Sequence, residues 1–120
     1  MQYLVQLKLS SSARPMTPQD GIAFIEQFIF PTLEICKELQ EEKKIAAGGP
    51  MSGAIALALI VNAESAQELD DLITSLPIWP RMETKVTPLT TFDARRQSLT
   101  IRLEALKAQT REMSTPGAGR

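Results

Sequence analysis

Residues 76–89 read Leu-Pro-Ile-Trp-Pro-Arg-Met-Glu-Thr-Lys-Val-Thr-Pro-Leu, and this stretch decides how the chain is organised. Pro77 and Pro80 cannot continue a helix, because proline lacks a backbone N–H and its ring clashes with the preceding turn. The only Trp of the chain, Trp79, lies between them. Polar and apolar side chains then alternate from Met82 to Leu89, which is the period of a β-strand. The stretch therefore predicts a rigid corner where a helix ends and a strand begins.

The segments around this corner predict a sequence of strands and helices. Ser65 is a typical N-cap, and Glu68 completes a capping box at the start of the helix that ends at the corner. The apolar stripe of that helix is Leu69, Leu72, Ile73 and Leu76. Strands are predicted over residues 2–9, 45–50, 54–61 and 82–89. The second is interrupted by Gly and Pro, as suits an edge strand, and the third is apolar on both faces, as suits a central one.

The first helix is predicted to run from Pro18 to about Lys43. Thr17 is its predicted N-cap, and proline suits the first helical position. Pro31 is expected to kink the helix near residues 27–30 rather than to end it, because the apolar stripe continues in phase beyond it. That stripe consists of Ile22, Ile25, Ile29, Leu33, Cys36 and Leu39.

The order β-α-β-β-α-β is the split βαβ, or ferredoxin-like, arrangement, an α+β fold with an antiparallel four-stranded sheet. An extra helix follows, because residues 91–113 carry Leu99, Leu103 and Leu106 on one stripe among many charges. We therefore predict a ferredoxin-like domain at 1–90, a C-terminal amphipathic basic helix at 91–113 and a flexible tail at 114–120. Residues 91–120 hold six Lys or Arg and three acids, a net charge of +3, which leaves −4 for residues 1–90.

The composition excludes several kinds of site. The chain has one Cys and no His, so a Ser-His-Asp triad, a Cys-His pair and a zinc site of Cys/His type are impossible, and we predict no metal and no cofactor. The net charge of −1 and the aromatic content of 5% give no reason to expect nucleic acid or a membrane surface as a partner. No apolar run approaches the ~20 residues of a membrane span, and the N-terminus lacks the pattern of a signal peptide. Cys36 lies in an apolar helical pattern and fits a core position in a reducing compartment, so we predict a cytoplasmic protein.

One face of the sheet is expected to lack a cover. Both main helices pack on the other face, although the third strand is apolar on both. An exposed row of this kind is unusual for a soluble monomer, and burying it stabilises by several kcal/mol at roughly 25 cal/mol per Å². We predict a homodimer in which a second copy covers this face and closes a two-chain barrel. The C-terminal helix is the alternative cover.

The cavity between the two sheet faces is where we expect chemistry. Its predicted polar lining consists of Tyr3, Gln6, Lys8, Glu83 and Lys85, with Trp79 and Arg81 at the mouth. A lysine or carboxylate in a partly dry cavity can act as a general base, because its pKa moves towards neutrality.

We accordingly predict a catalytic set and a substrate-binding set for a small organic ligand. The catalytic set is Lys8, Glu83 and Lys85, and the substrate-binding set is Tyr3, Gln6, Trp79 and Arg81. The small side chains of Ala54, Ala56 and Ala58 leave room for that ligand. Other interpretations stay open, since alanines also mark close packing, Glu83 and Lys85 also suit a solvated strand face, and Trp79 also suits a corner anchor.

Three segments together resemble the muconolactone delta-isomerase family: Ser-Ala-Gln-Glu-Leu-Asp-Asp-Leu at 65–72, the corner at 76–83, and Val-Thr-Pro-Leu at 86–89. The resemblance lies within residues 63–92. It implies a dimeric α+β barrel, sometimes assembled into larger rings, and cofactor-free handling of small organic molecules. The namesakes move a double bond in a lactone during catechol breakdown.

The sequence departs from that family in two places. The family's second strand commonly bears Trp, Arg or other polar residues, whereas residues 44–53 here are mostly Ala and Gly. The family's chains end soon after the last strand, whereas a basic helix follows here. No catalytic residue is carried over from the resemblance.

Three functions follow from these observations. The first is a cofactor-free isomerase or lyase acting on a small lactone or carbonyl compound. The second is a non-catalytic dimeric module that binds a small ligand, or a partner protein through the C-terminal helix. The third is a cofactor-free oxygenase of the same barrel superfamily, which oxygen uptake with quinol-like substrates would reveal.

Overall fold

The computed structural model describes residues 1–114, and the chain divides into two compact units, Met1–Leu89 and a second unit that begins at Thr90. The first unit contains the sheet and the helices that cover it. The second contains a helix that ends at Ser114. The predicted tail at 114–120 lies outside the described residues apart from Ser114.

The first unit has the predicted ferredoxin-like topology. Its strands are β1 (Gln2–Leu9), β2 (Ile45–Pro50), β3 (Ala56–Asn62) and β4 (Met82–Leu89). Its helices are α1 (Pro18–Phe24), a π-helix (Ile25–Ile29), α2 (Phe30–Glu41) and α3 (Ala66–Thr74). The strands form one open antiparallel sheet in the order β2-β3-β1-β4, so β1 and β3 are central as expected. The second unit is the predicted C-terminal helix, α4 (Phe92–Ser114).

The core lies between one face of the sheet and the helices. Register pairs Tyr3 with Val61, Val5 with Leu59 and Leu7 with Leu57, and all six side chains are buried. The predicted stripe of α3 covers them, with Leu69, Ile73 and Leu76 buried and Leu72 packed against the cluster. Ser65 caps α3 as predicted, since its Oγ accepts a hydrogen bond from the Glu68 N–H at 3.1 Å.

The helix after β1 begins as predicted and is distorted where a kink was expected. Thr17 Oγ1 accepts a hydrogen bond from the Asp20 N–H at 3.1 Å and caps α1. Before Pro31 the turns widen into the π-helix, and the Phe30 N–H bonds back to the carbonyl of Ile25, five residues earlier. The wider turn relieves the clash that a proline ring makes with the preceding turn of a regular α-helix.

This π-helix changes which residues face the core, so the predicted continuous stripe is wrong. A wider turn rotates the following residues about the helix axis relative to the preceding ones. Phe24 and Thr32 are buried instead, while Ile22, Ile25 and Leu33 are exposed. Only the later part of the stripe packs against the core, through Cys36 and Leu39 together with Ile35.

The corner at residues 76–81 is anchored by a buried hydrogen bond. Leu76 and Ile78 are buried, and the Ile78 N–H donates to Oγ1 of Thr32 at 3.1 Å. Trp79 begins a short 3-10 turn (Trp79–Arg81) and is 37% exposed. The corner is therefore held by its aliphatic residues and by Thr32.

The edge strand β2 depends on a glycine. Its pairing with β3 shifts between Ile45 and Ala47, the irregularity expected of an edge. Gly48 then adopts a φ of +126°, and a Cβ atom there would meet the carbonyl oxygen of Ala58 and lie 2.8 Å from Cα of Leu59. Both the conformation and the close approach of β3 require glycine.

Replacing Thr32 by Val keeps the shape of the side chain but leaves the buried Ile78 N–H without its acceptor. We expect the free energy of unfolding, measured by urea titration, to fall by about 1–3 kcal/mol. The matched control is Thr74→Val, which removes an exposed hydroxyl that donates to the Asp70 carbonyl at 2.8 Å. That change should stay within about 0.5 kcal/mol, and equal losses in the two variants would contradict the anchoring role.

Gly48→Ala should destabilise the first unit by about 1–3 kcal/mol, because the backbone must leave its positive φ or displace β3. Gly49→Ala is the control, since no heavy atom lies within 4 Å of its added Cβ. The two variants differ by one position in the same strand, and urea unfolding measures both. A loss in Gly48→Ala no larger than that in Gly49→Ala would contradict the requirement for glycine at position 48.

Candidate functional site

The face of the sheet that is opposite to the core, which we call the open face, carries four of the predicted site residues. The β1–β4 register places Lys8 opposite Glu83 and Gln6 opposite Lys85. Directly opposed residues of an antiparallel pair project from the same face of the sheet. Gln6 is half-buried, whereas Lys8, Glu83 and Lys85 are exposed. The predicted catalytic set therefore occupies two neighbouring rows at one end of this face.

The centre of the open face is apolar. Leu4 of β1 pairs with Ile60 of β3, and both side chains are half-buried. In the next rows the small side chains of Ala58 and Ala56 lie beside Gln6 and Lys8. This is the apolar row that was expected to lack a cover within the sheet domain.

Tyr3 lies on the opposite face from Gln6. It is 8% exposed, belongs to the core cluster, and donates its hydroxyl hydrogen to Sδ of Met1 at 3.4 Å. The structure thus separates Tyr3 from the four residues on the open face. The alternation of β1 carries this signal, since Tyr3 shares its parity with Val5 and Leu7.

A cleft with two arginines lies on the helix side of the sheet, where β1 leads into α1. We call it the arginine cleft; its volume is about 380 Å³. Its principal side chains are those of Arg14, Asp20, Phe24, Gln27, Phe28 and Arg81. Of the residues predicted to bind substrate, Arg81 is the one that lines this cleft.

An aromatic ring holds Arg81 in place. Its guanidinium carbon lies 4.3 Å from the centroid of the Phe28 ring, a cation–π contact, and the rings of Phe28 and Phe24 are 6.1 Å apart. Within residues 1–114, neither Arg81 nor Arg14 forms an ion pair with a carboxylate, although Asp20 lines the same cleft. Two guanidinium groups therefore face one open cleft with their hydrogen-bond donors available to an anion.

A second cleft is lined by one residue of the predicted catalytic set, Lys8. We call it the lysine cleft; its volume is about 640 Å³, and Lys8, Arg14 and Ile55 are among its lining residues. Arg14 lines both clefts. Backbone hydrogen bonds hold this end of the sheet together, from the Leu9 N–H to the Ile55 carbonyl and from the Ser10 N–H to the Arg81 carbonyl, each at 3.0 Å.

Sequence reasoning found Arg81 but missed Arg14, Phe24 and Phe28. Arg14 lies in an irregular loop, Phe24 is the last residue of α1, and Phe28 lies in the π-helix, where no simple period applies. The aromatic pair at positions 24 and 28 has the spacing of one helical turn, which was the available signal. Trp79 is not among the residues that line either cleft.

An apolar pocket of about 180 Å³ lies between the first helix and the β2–β3 hairpin. Ile29, Leu33 and Ile55 line it, and Ala54, one of the predicted small residues, lies there too. Thr32 is its main polar side chain, and that hydroxyl is already bonded to Ile78. The pocket therefore offers packing surface rather than chemistry.

Cys36 is half-buried and packs against the core. Burial raises the pKa of its thiol, because desolvation disfavours the thiolate. A thiol in these surroundings is a poor nucleophile, which agrees with its interpretation as a core residue. No helix within residues 1–114 is both long and apolar enough to cross a membrane.

The fold and the clefts define a class of protein: a ferredoxin-like α+β scaffold with an open antiparallel sheet and clefts at one end of it. The chain belongs to the muconolactone delta-isomerase family, whose model matches residues 1–95. α4 lies almost entirely beyond that match. No curated protein is a significant match to this sequence.

Two of the solved structures that are similar to the chain are enzymes. A muconolactone isomerase is 24% identical, with a TM-score of 0.62, and the match covers 76% of this chain and 90% of that one. A 5-chloro-2-hydroxyhydroquinone dehydrochlorinase from Burkholderia phenoliruptrix, in complex with 2,5-dihydroxybenzoquinone, is 23% identical, with a TM-score of 0.56 and coverage of 78% and 98%. At these identities the likeness shows the fold.

The raised pKa of Cys36 predicts how stability depends on pH. The unfolded chain releases the thiol proton first, so the contribution of this thiol is complete below the unfolded pKa and is lost as the pH rises through the folded value. The free energy of unfolding should therefore fall from about pH 8.5 upward more steeply than in Cys36→Ala. Urea titrations of both proteins across this range measure the difference, and parallel curves would contradict it.

Proposed function

We propose that this chain is a cofactor-free, isomerase-like protein that acts on a small unsaturated lactone or carbonyl compound bearing an anionic group. The observation that carries the proposal is the position of Arg14, which lines a cleft with Arg81 on one side and a cleft with Lys8 on the other. Membership of the muconolactone delta-isomerase family supports the reaction class.

The arginines bind and orient the substrate in this proposal. Guanidinium groups present planar arrays of N–H donors that match a carboxylate or an enolate, and such charge-assisted hydrogen bonds are the stronger kind. Phe28 holds Arg81 at one wall, which limits the entropy lost when Arg81 binds an anion. Gln6, on the open sheet face beside Lys85, is proposed to contact the uncharged part of the ligand.

The acid–base step is assigned to Lys8, Glu83 and Lys85. The Glu83 carboxylate takes a proton from the carbon that is γ to the carbonyl, and the electron pair moves through the double bond onto the carbonyl oxygen. The ammonium group of Lys8, opposite Glu83 on the sheet, stabilises that oxygen, and Lys85 adds positive charge two residues along β4. The proton returns at the far end of the double bond, so neither oxidant nor cofactor takes part.

A second copy is proposed to cover the open sheet face. The half-buried Leu4 and Ile60 lie at the centre of that face, and the catalytic set lies towards one end of it. Covering the apolar centre removes water from it, which strengthens the electrostatic interactions nearby. A homodimer in the cytoplasm accords with this surface and with the single, half-buried cysteine.

The alternative function is a non-catalytic module that binds a small ligand through the same clefts. The exposure of Lys8, Glu83 and Lys85 in the single chain favours it, because none of the three is desolvated there. Arg14 binds the ligand in both functions, whereas Glu83 is needed only for turnover in the catalytic function.

Two probes separate these functions. Binding is measured by calorimetry with 2,5-dihydroxybenzoquinone, and turnover is measured by ultraviolet absorbance with muconolactone. Arg14→Gln should weaken binding by about 10-fold or more, because one charge-assisted hydrogen bond contributes about 1.5–3 kcal/mol. Glu83→Gln should lower turnover by about 10²–10⁴-fold and leave binding unchanged.

Lys43→Gln is the control for the loss of a positive charge, since Lys43 lies in the turn after α2 and lines neither cleft. If Arg14→Gln left the affinity for 2,5-dihydroxybenzoquinone unchanged, the proposed binding site would be wrong. Binding without turnover of muconolactone by the unaltered chain would favour the non-catalytic module.

A further inference from the structure

The second unit carries an exposed apolar face along its whole length. Successive residues of an α-helix are about 100° apart, so positions seven apart nearly coincide in projection. Within an arc of about 80° on α4 lie Phe92, Leu99, Leu103, Leu106 and Met113. All five are exposed, Phe92 at 97% and Leu103 at 49%. Water-exposed rows of large apolar side chains are unusual and mark contact surfaces, so this face is a candidate docking surface.

Positive charges border this face on both sides. Arg95 and Arg102 project along one border, and Arg96 and Lys107 along the other. The three acids of the helix, Asp93, Glu104 and Glu112, project more than about 100° from the centre of the apolar face. The surface that covers α4 should therefore be apolar along its centre and negatively charged at its edges.

The first unit offers a surface of this kind on its long helix. The phase change at the π-helix leaves an exposed apolar row there, which we call the outer stripe: Ile22, Ile25, Phe30 and Leu33, with the half-buried Ile29 beside them. Glu26 and Glu34 are exposed next to these residues in the sequence. Residues 18–41 hold five carboxylates and one lysine, whereas residues 92–114 hold five cations and three acids. The two helices are thus opposite in charge.

The two surfaces also match in length. α4 has 23 residues, and the helical run from Pro18 to Glu41 is one residue longer. At 1.5 Å per residue, each helix is roughly 35 Å long. The apolar pocket lined by Ile29, Leu33 and Ile55 opens beside the outer stripe and can accept a leucine side chain.

We propose that the apolar face of α4 docks on the outer stripe of a second copy of this chain. Pairing of α4 with another α4 would bring four bordering cations against four more, and like charges across such a contact oppose association. The outer stripe supplies carboxylates instead. Reciprocal docking, in which each copy gives its α4 to the other, closes the contact into a dimer. This contact is separate from the sheet-face contact and does not depend on any catalytic role.

Disulfide trapping between two differently substituted chains tests the proposal. Leu103→Cys and Leu33→Cys are introduced into separate chains that also carry Cys36→Ala, and the chains are refolded together so that copies exchange. Both positions are exposed, so cysteine does not disturb a core. A disulfide forms only when the two Cα atoms lie within about 7 Å of each other. The mixture should therefore give about tenfold more mixed dimer than a control mixture in which Ile101→Cys takes the place of Leu103→Cys. Ile101 is exposed on the other side of α4.

Mass spectrometry identifies the product, since the mixed dimer has about twice the 13.2 kDa mass of one chain and contains one peptide from each variant. Equal cross-linking of Leu103→Cys chains with one another would mean that α4 pairs with itself. A chain carrying both cysteines that cross-links only within itself, at the mass of one chain, would mean that the helix docks in its own copy. Either result, or the absence of mixed dimer, would overturn the proposal, and none of them bears on turnover or on ligand binding.

Discussion

The clash between the ring of Pro31 and a regular preceding helical turn is the constraint on which much of this structure depends. A regular α-helix through this position would bring the proline ring against the preceding turn, and the widened turn at Ile25–Ile29 avoids that. The change in helical phase that follows places Thr32 in the core, where its hydroxyl oxygen accepts a hydrogen bond from the Ile78 N–H. A proline in the first helix thus helps to fix the corner that leads into the last strand, through a hydrogen bond between residues that are 46 positions apart.

The same phase change links packing to the candidate site. Phe24 is buried on one side of the π-helix, and Phe28 within it faces Arg81. Arg81 belongs to the short turn that the Thr32–Ile78 bond anchors, so the guanidinium and the ring beneath it are positioned from both sides. The irregular part of the helix therefore belongs to the architecture of the arginine cleft. A straight helix in this place would present a different set of side chains to Arg81.

Much of the fold could be predicted because its signals are local. The caps at Thr17 and Ser65, the breaks at Pro77 and Pro80, and the apolar third strand each act through a few neighbouring residues. The phase of the first helix could not be predicted, because the residue shift at a π-helix is not visible in a period of 3.6. The arginine cleft could be predicted only in part, and Phe28 was missed because it lies in the π-helix. Arg81 followed from the corner, whereas Arg14 depends on the path of an irregular loop.

The exposed residues of the first helix and of α4 have a common physical explanation. Ile22, Ile25 and Leu33 have the composition of a core stripe, and sequence periodicity accordingly assigned them to the core of one chain. The structure leaves them exposed, and it also leaves exposed the leucines of a helix that begins after the family match has nearly ended. Large aliphatic side chains at the surface in helical register, with opposite charges beside the two rows, have the composition of contact surfaces, and the proposed docking of α4 on the outer stripe of a second copy covers both rows. The apolar pattern of the first helix was therefore informative, although within one chain part of it marks a surface and not the core.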